Sequence, residues 1–383
     1  MKIIVNISRV IVGVLFIFSG LVKANDPLGL SYKMQEYFDV WRQYTSLHSL
    51  MIWLDNYALA FSIITITLEI VVGVAILLGW HKRFFSFLLL LLIIFFTFLT
   101  GYAVLSGKIK TCGCFGDCIP LTATQSFIKD LVLFILILII FFGARHIRQI
   151  FNGVTNFLIV LFSTLLVLGF QWHVLKYLPV ADCLPFKKGN NILELRKMPA
   201  NAVQDKMSFT FIYEKNGEKK EFDQNALPDS TWNFVERKDV IIAKGTNNEP
   251  PIKDFFLTTL SGIDSTDAIL NKPAYYYLFF IKDIDTEREH WLMGFKNIYS
   301  HAKQNGIALF IVASQATKAQ QFFNETNHFN VIVFSCDVTA LKTAARTNPT
   351  LYLMKGPVIQ KKWGWANLQE ATKHKMENSS MED

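Results

Sequence analysis

The chain changes character near residue 178. Before that point, apolar residues run in five stretches with no polar face: roughly Ile3 to Val22, Tyr57 to Gly79, Phe84 to Leu105, Phe127 to Gly143 and Val154 to Leu178. A helix needs ~20 residues to cross ~30 Å of hydrocarbon, so each stretch predicts a membrane-spanning helix. A run such as FSFLLLLLIIFFTFL lacks the polar side that a helix at the edge of a soluble core would carry. The first stretch reads as a retained helix because Arg9 interrupts it, although Val22-Lys23-Ala24 roughly fits a small-residue cleavage site. The fourth is the shortest, and Lys129 and Asp130 near its start blur its outer boundary.

Beyond Tyr177 the periods shorten. LPVADCLPFKKGNNI is a Pro- and Gly-punctuated exit, and SFTFIYEKNGEKKEFD alternates apolar and polar residues around Asn216-Gly217, the pattern of a tight hairpin. DVIIAKG predicts another strand. After Pro251, YYYLFFI (275–281), IALFIVAS (307–314) and VIVFSCD (331–337) read as strands, separated by helices starting near Thr286, Gln315 and Val338. TLYLMKG and PVIQKKWG close the series. The order βαβαβα then ββ predicts a sheet with parallel pairs and helices on its faces. The fold class is therefore an all-α transmembrane bundle followed by a soluble α/β domain. The expected divisions are a membrane unit over 1–150, a fifth span over 151–178, a β-rich connector over 179–250, the α/β domain over 251–375 and a flexible tail over 376–383.

Composition sharpens the membrane assignment without changing it: 51% of residues are hydrophobic, only 18% are charged, and 34 are Phe. The net charge of +7 is not a nucleic-acid signature, because no binding motif accompanies it. Counting Lys and Arg leaves the orientation balanced, but HKR and ARHIR fill very short turns, which sets the N-terminus inside. Parity is independent of that count. Two spans separate the connection KTCGCFGDC (110–118) from the soluble region, so both face one compartment, and Cys183 joins them there. The expected setting is a bacterial inner membrane with the soluble domain periplasmic, where disulfides persist.

Three of the five cysteines, Cys112, Cys114 and Cys118, lie in that connection. A Cys-x-Cys pair closes a disulfide only across a sharp bend, which Gly113 permits, and the small ring would be readily reduced. Lys108 and Lys110 favour a thiolate. Three uses stay open: redox exchange at Cys112 and Cys114 with Cys118 and Cys183 as resolving partners, a purely structural disulfide among the four, or a zinc site, for which the spacing is not the usual ligand knuckle. Cys336 reads as a small buried hydrophobe. Glu69 lies mid-span, where an ionisable group points inward and needs a partner; Arg9 is the expected counter-ion, the two forming a clamp between helices. His81 and His173, beside Trp80 and Trp172, read as headgroup-level anchors. No phosphate-binding glycine loop, HExxH or nucleophile elbow occurs. No cofactor is evident; a quinone would fit between such helices, but no residue pattern specifies it.

Two resemblances add to this. SRVIVGVLFIFSGLVKANDP (8–27), LEIVVGVAILLGW (68–80) and CGCFGD (112–117) resemble the DoxX and MauE membrane families over four of the five spans. MauE-type proteins are implicated in maturing methylamine dehydrogenase, whose periplasmic subunit needs disulfides, and DoxX relatives are associated with thiol and sulfur redox. ARTNPTLYLMKG followed by PVIQKKWG is similar to the C-terminal half of a thioredoxin-like domain, in which a cis-proline precedes the last two strands; Pro349 would be that proline. Where that family carries Cys-x-x-Cys, this chain has KDIDTEREHW, with no sulfur. The resemblances imply thiol–disulfide redox or disulfide-dependent maturation of envelope proteins, with the soluble domain binding a periplasmic or membrane protein partner. The alternative is a non-enzymatic envelope scaffold whose cysteines form only structural disulfides.

Overall fold

A computed structural model describes residues 1–44, 48–109, 113, 116–203, 206–243, 245 and 247–373. Cys112, Cys114 and the 376–383 tail lie outside the described residues. The first part holds α1 (Lys2–Ala24), α2 (Pro27–Tyr44), α3 (His48–Asn56), α4 (Ala58–Leu78), α5 (Lys82–Ser106), α6 (Ala123–Phe142) and α7 (Gly153–Tyr177). Of these, α1, α4, α5, α6 and α7 are long and apolar enough to cross a membrane, and they coincide with the five predicted spans. The fourth begins earlier than its apolar run because Thr122 and Gln125 form a reciprocal capping box that starts the helix on polar residues. Helices α2 and α3 were not legible as apolar runs, since their residues are mixed.

Bundle packing follows membrane rules, where small residues let backbones approach. Helices α1 and α4 cross at Gly13 and Gly73: a Cβ on Gly73 would lie 2.9 Å from the Gly13 carbonyl oxygen. Buried polar groups tie further pairs. Gln171 on α7 donates to Thr67 Oγ1 on α4 (2.9 Å), and Thr100 on α5 donates to Asp130 on α6 (3.1 Å). Helix α7 is the most lipid-exposed, with only Asn156, Val160, Val167, Gln171 and Val174 buried.

After the short α8 (Ile192–Leu195), β1 (Lys206–Lys215), β2 (Glu218–Asp223) and β3 (Asn233–Ala243) form an antiparallel sheet in the order β2-β1-β3. Its first turn is Asn216-Gly217, both at positive φ (53° and 85°), the conformation such a two-residue hairpin demands. Then come α9 (Thr266–Leu270), β4 (Tyr275–Ile281), α10 (Arg288–Gln304), β5 (Ala308–Ala313), α11 (Ala316–Gln320), β6 (Ile332–Ser335), α12 (Val338–Ala344), β7 (Thr350–Lys355), β8 (Val358–Gly364) and a 3-10 stretch, Trp365–Lys373. The five-stranded sheet runs β6-β5-β4-β7-β8, parallel at β4–β5 and β5–β6 and antiparallel elsewhere.

Strand β4 is central and covered on both faces, which is why YYYLFFI reads as a continuous apolar run. Tyr277 and Phe279 meet Trp291 and Phe295 of α10, with Phe323 and Trp363, on one face. Tyr276 and Phe280 meet Tyr352, Phe255, Phe186 and Ile192 on the other. Segments before and after the three-stranded sheet thus close the second face. The end of β8 abuts the end of α7: a Cβ on Gly364 would lie 2.4 Å from the Lys176 carbonyl oxygen. This contact seats the α/β domain directly on the fifth span.

Candidate functional site: the cleft between bundle and α/β domain

The loop that opens β7 carries a cis Asn348–Pro349 peptide bond. Asn348 laces it to the segment after β4, accepting from the Lys282 and Asp283 amides (2.8 and 3.3 Å) and donating to the Asp283 carbonyl (2.7 Å). Just before it, Arg346 reaches the membrane half. Its Nε donates to Asp26 Oδ2 (2.7 Å), Nη2 to Asp117 Oδ2 (2.6 Å) and Nη1 to the Lys342 carbonyl (2.7 Å). Asp26 lies between α1 and α2, and Asp117 ends the CGCFGD motif, so one buried guanidinium joins the α/β domain to both.

Around it, Lys282 Nζ donates to the Tyr32 hydroxyl (2.9 Å) and Lys342 Nζ to Gln35 Oε1 (3.0 Å), both on α2. The Tyr32 ring has Lys342, Arg346 and Lys282 within 5.0 to 5.6 Å of its centre. Burial works against the Arg346 charge, but Asp26 and then Asp117 more than offset it and hold the guanidinium above its usual range. Burial pushes the Tyr32 phenol well up. The Lys282 ammonium is brought down to about 7, chiefly by burial, with Arg346 and Lys342 adding to the effect and Asp26 opposing it.

Beside this cluster, Cys118 and Cys183 form a disulfide with α-carbons 4.8 Å apart. The segment it holds is fastened twice more. Asn25 exchanges two hydrogen bonds with the Ala181 backbone (2.8 and 3.0 Å), and Lys362 on β8 donates to Asp182 (2.7 Å). Cys183 is exposed and lines a cleft of about 660 Å³ whose walls include Tyr32, Lys33, Asp117, Lys342 and Arg346. Gly113, at φ 69°, packs where a Cβ would lie 3.0 Å from Lys33 Cγ. The Cys112–Cys114 assignment falls outside the described residues, but Gly113, Asp117 and Cys118 place the connection's flanks at this cleft. Cys336 is buried, its amide bonded to Ala313, and burial pushes its thiol up to about 12, so it is a packing residue. Among the described residues no three His, Cys, Asp or Glu side chains gather closely enough to hold a metal ion.

The Glu69–Arg9 clamp requires correction. Glu69 pairs with Lys23, both almost fully buried, while Arg9 donates to the carbonyls of Leu77 (2.8 Å) and Arg148 (3.2 Å). The reason is axial register. On α1, Gly13 meets Leu77 and Gly73 and Gly20 meets Ile70, so Arg9 sits near the end of α4 where unpaired carbonyls await a donor, and the long Lys23 side chain reaches down to Glu69. Lys23 also lies 4.5 Å over the Phe96 ring. Together with Ser19, Gln125, Lys129 and Asp130, Lys23, Glu69 and Phe96 line a cavity of about 320 Å³ in the half of the bundle nearer the Cys118–Cys183 disulfide. Lys129 pairs with Asp130 (2.9 Å), so the cavity's two cations and two carboxylates balance.

Sequence reasoning missed Arg346, Asp26, Tyr32 and Lys282. The available signal was the pair of aspartates flanking the resemblance motifs, in ANDP and GFGDC, and an arginine three positions before Pro349.

Residues 1–143 match the family described as Methylamine utilisation protein MauE. Residues 207–244, which nearly coincide with the three-stranded sheet, match a domain of unknown function, DUF8463. The chain is 34% identical over 108 residues to Protein TlpB of Flavobacterium psychrophilum, a match covering 27% of this chain and 28% of that protein, so it spans under a third of that relative's length. No solved structure matches the chain.

Proposed function

We propose that this protein, a multi-pass MauE-type membrane unit continued by an α/β domain, exchanges thiols and disulfides with envelope proteins on the outer face of a bacterial inner membrane. The observation that carries this is the cleft. The Cys118–Cys183 disulfide and the Arg346–Asp117 ion pair hold both ends of the Asp117-Cys118 step against the cis-proline edge of the α/β domain. Cys112 and Cys114 act as the exchanging pair. A client thiolate attacks one sulfur of the oxidised pair, that S–S bond breaks as a mixed disulfide forms, and the second client thiolate displaces the pair's sulfur. The client loses two electrons and two protons, and the pair gains them as two thiols. Lys33 and Lys342 at the cleft stabilise the attacking thiolate. The thioredoxin-like domain carries no sulfur in the segment directly after β4 (282–291), where that family has its Cys-x-x-Cys, and serves as the client-binding module. A membrane quinone seated in the balanced cavity of about 320 Å³ is the acceptor class that would reoxidise the pair.

Alkylation before and after reduction, followed by mass spectrometry, tests this. The expected result is a Cys112–Cys114 bond in a fraction of molecules that shifts with the poise of an added thiol couple, while Cys118–Cys183 stays oxidised. Cys112 and Cys114 alkylating fully without reductant, at every poise, would refute it. A scaffold reading is favoured by one observation: the cis-proline edge is already covered by Asp26, Tyr32 and Asp117 of the same chain. It expects Cys112→Ser/Cys114→Ser to leave client oxidation unchanged.

A further inference from the structure

The end of the bundle away from the cysteines is built from stretches that contain no acid at all. No Asp or Glu occurs in residues 1–25, 70–116 or 131–181. Two turns meet there, Gly79–Arg83 and 143–150, and their cations divide into two groups. Lys82 Nζ donates to the carbonyls of Ile147 (2.7 Å) and Arg145 (3.3 Å), and Arg9 to those of Leu77 and Arg148. The Ile150 amide bonds to the Leu78 carbonyl (3.0 Å), and Gly79, at φ 70°, admits the Arg148 carbonyl where a Cβ would lie 2.5 Å away. These contacts fix the two turns against each other.

The second group is left over. Arg83, Arg145 and Arg148 have no carboxylate partner among the described residues, and with His81 they line a groove of about 760 Å³. Helix α5 starts in the same groove. His81, its N-cap residue at φ 36°, makes no side-chain cap, so the first amides of a 25-residue helix lack the usual side-chain acceptor. Guanidinium groups beside an uncapped helix start are a site for phosphate oxygens. Exposed Phe84 lines the groove, and the chain that leaves its lining at Gln149 continues into Ile150 and Phe151, about half exposed or more, so the rim on that side is apolar. A free phosphate would have no use for that rim, whereas acyl chains would.

We infer that this groove binds an anionic phospholipid, its phosphate between Arg83, Arg145, Arg148 and the start of α5, its chains along Phe84, Ile150 and Phe151. Three guanidinium groups exceed one phosphate charge, so a two-phosphate headgroup binds best. The site stands apart from the thiol chemistry proposed above and does not depend on it.

The test uses the full chain in nanodiscs of phosphatidylcholine alone, with added phosphatidylglycerol, or with added cardiolipin, followed by detergent transfer and native mass spectrometry of retained lipid. The expected order of retention is cardiolipin, phosphatidylglycerol, phosphatidylcholine. R83Q/R145Q/R148Q should retain cardiolipin about a hundredfold less well. K187Q/K188Q/K197Q, at exposed lysines in the segment that follows Cys183, should retain it like wild type. Equal retention of all three lipids by the wild-type protein overturns the inference whether or not the triple variant folds. So does release of cardiolipin by millimolar inorganic phosphate, which would make free phosphate the ligand.

Discussion

Replacing Arg346 with Met is the most direct test of how the two halves are joined. The substitution keeps the stem's bulk and removes the charge, leaving Asp26 and Asp117 without their shared partner. The two carboxylates are not equal. Asp26 has a side chain 13% exposed against a guanidinium 7% exposed, so stripping its partner falls in the range for a broken buried pair, about 3 to 5 kcal/mol. Asp117 is 40% exposed and water can replace the arginine, so its share is at most about 1 kcal/mol. The expected loss of docking free energy is therefore about 3 to 5 kcal/mol, nearly all of it through Asp26, or about 150-fold or more in the opening equilibrium. Native-state hydrogen exchange in nanodiscs reads this on α2 and on residues 342–350. R346M should exchange there faster by that factor, D26N should reproduce most of the effect and D117N little of it. Protection unchanged in R346M, or a larger effect from D117N than from D26N, would refute the assignment of Arg346 and Asp26 as the main tie.

Two further outcomes follow from the same geometry. Lys282 has a docked-state value of about 7, below the ordinary lysine value, so the undocked form binds more protons between about 7 and the ordinary value. Docking should strengthen as pH rises through that window, by at most about 1.4 kcal/mol per unit, and be flat below it; K282M, followed by exchange protection of α2 from pH 7 to 10, should abolish the slope. Within the bundle, K23M or E69Q alone should lower stability in detergent by about 3 to 5 kcal/mol, because each leaves a buried charge unpaired, while K23M/E69Q should recover most of it. Thermal unfolding of the four proteins gives the coupling, and additive losses would sink the pairing.

Most of the architecture is written locally. A span needs only an uninterrupted apolar run, and β4 announces itself as YYYLFFI because both its faces are covered. The Asn216-Gly217 hairpin is dictated by two residues that tolerate positive φ. Helices α2 and α3 were hidden because they lie at the end of the bundle that meets the α/β domain, with neither a full apolar run nor a clean period. The site was only half legible. Cysteine spacing located the connection, but Arg346 meets Asp117 across 229 positions and Asp26 across 320, and nothing local marks such partners. The Glu69 pairing failed for a similar reason: choosing between Arg9 and Lys23 requires the axial register of α1 on α4, which the glycine contacts set.

The bridge between Cys118 and Cys183 spans 65 positions and brackets the fourth and fifth spans. During biogenesis its sulfurs can meet only if the two helices cross together or not at all, so that the later cysteine is delivered to the same side as the earlier one. A nascent chain that inverts or skips one of them strands its thiols across the lipid, chemically unable to join. The bond is thus a covalent record that neither helix was inserted without the other.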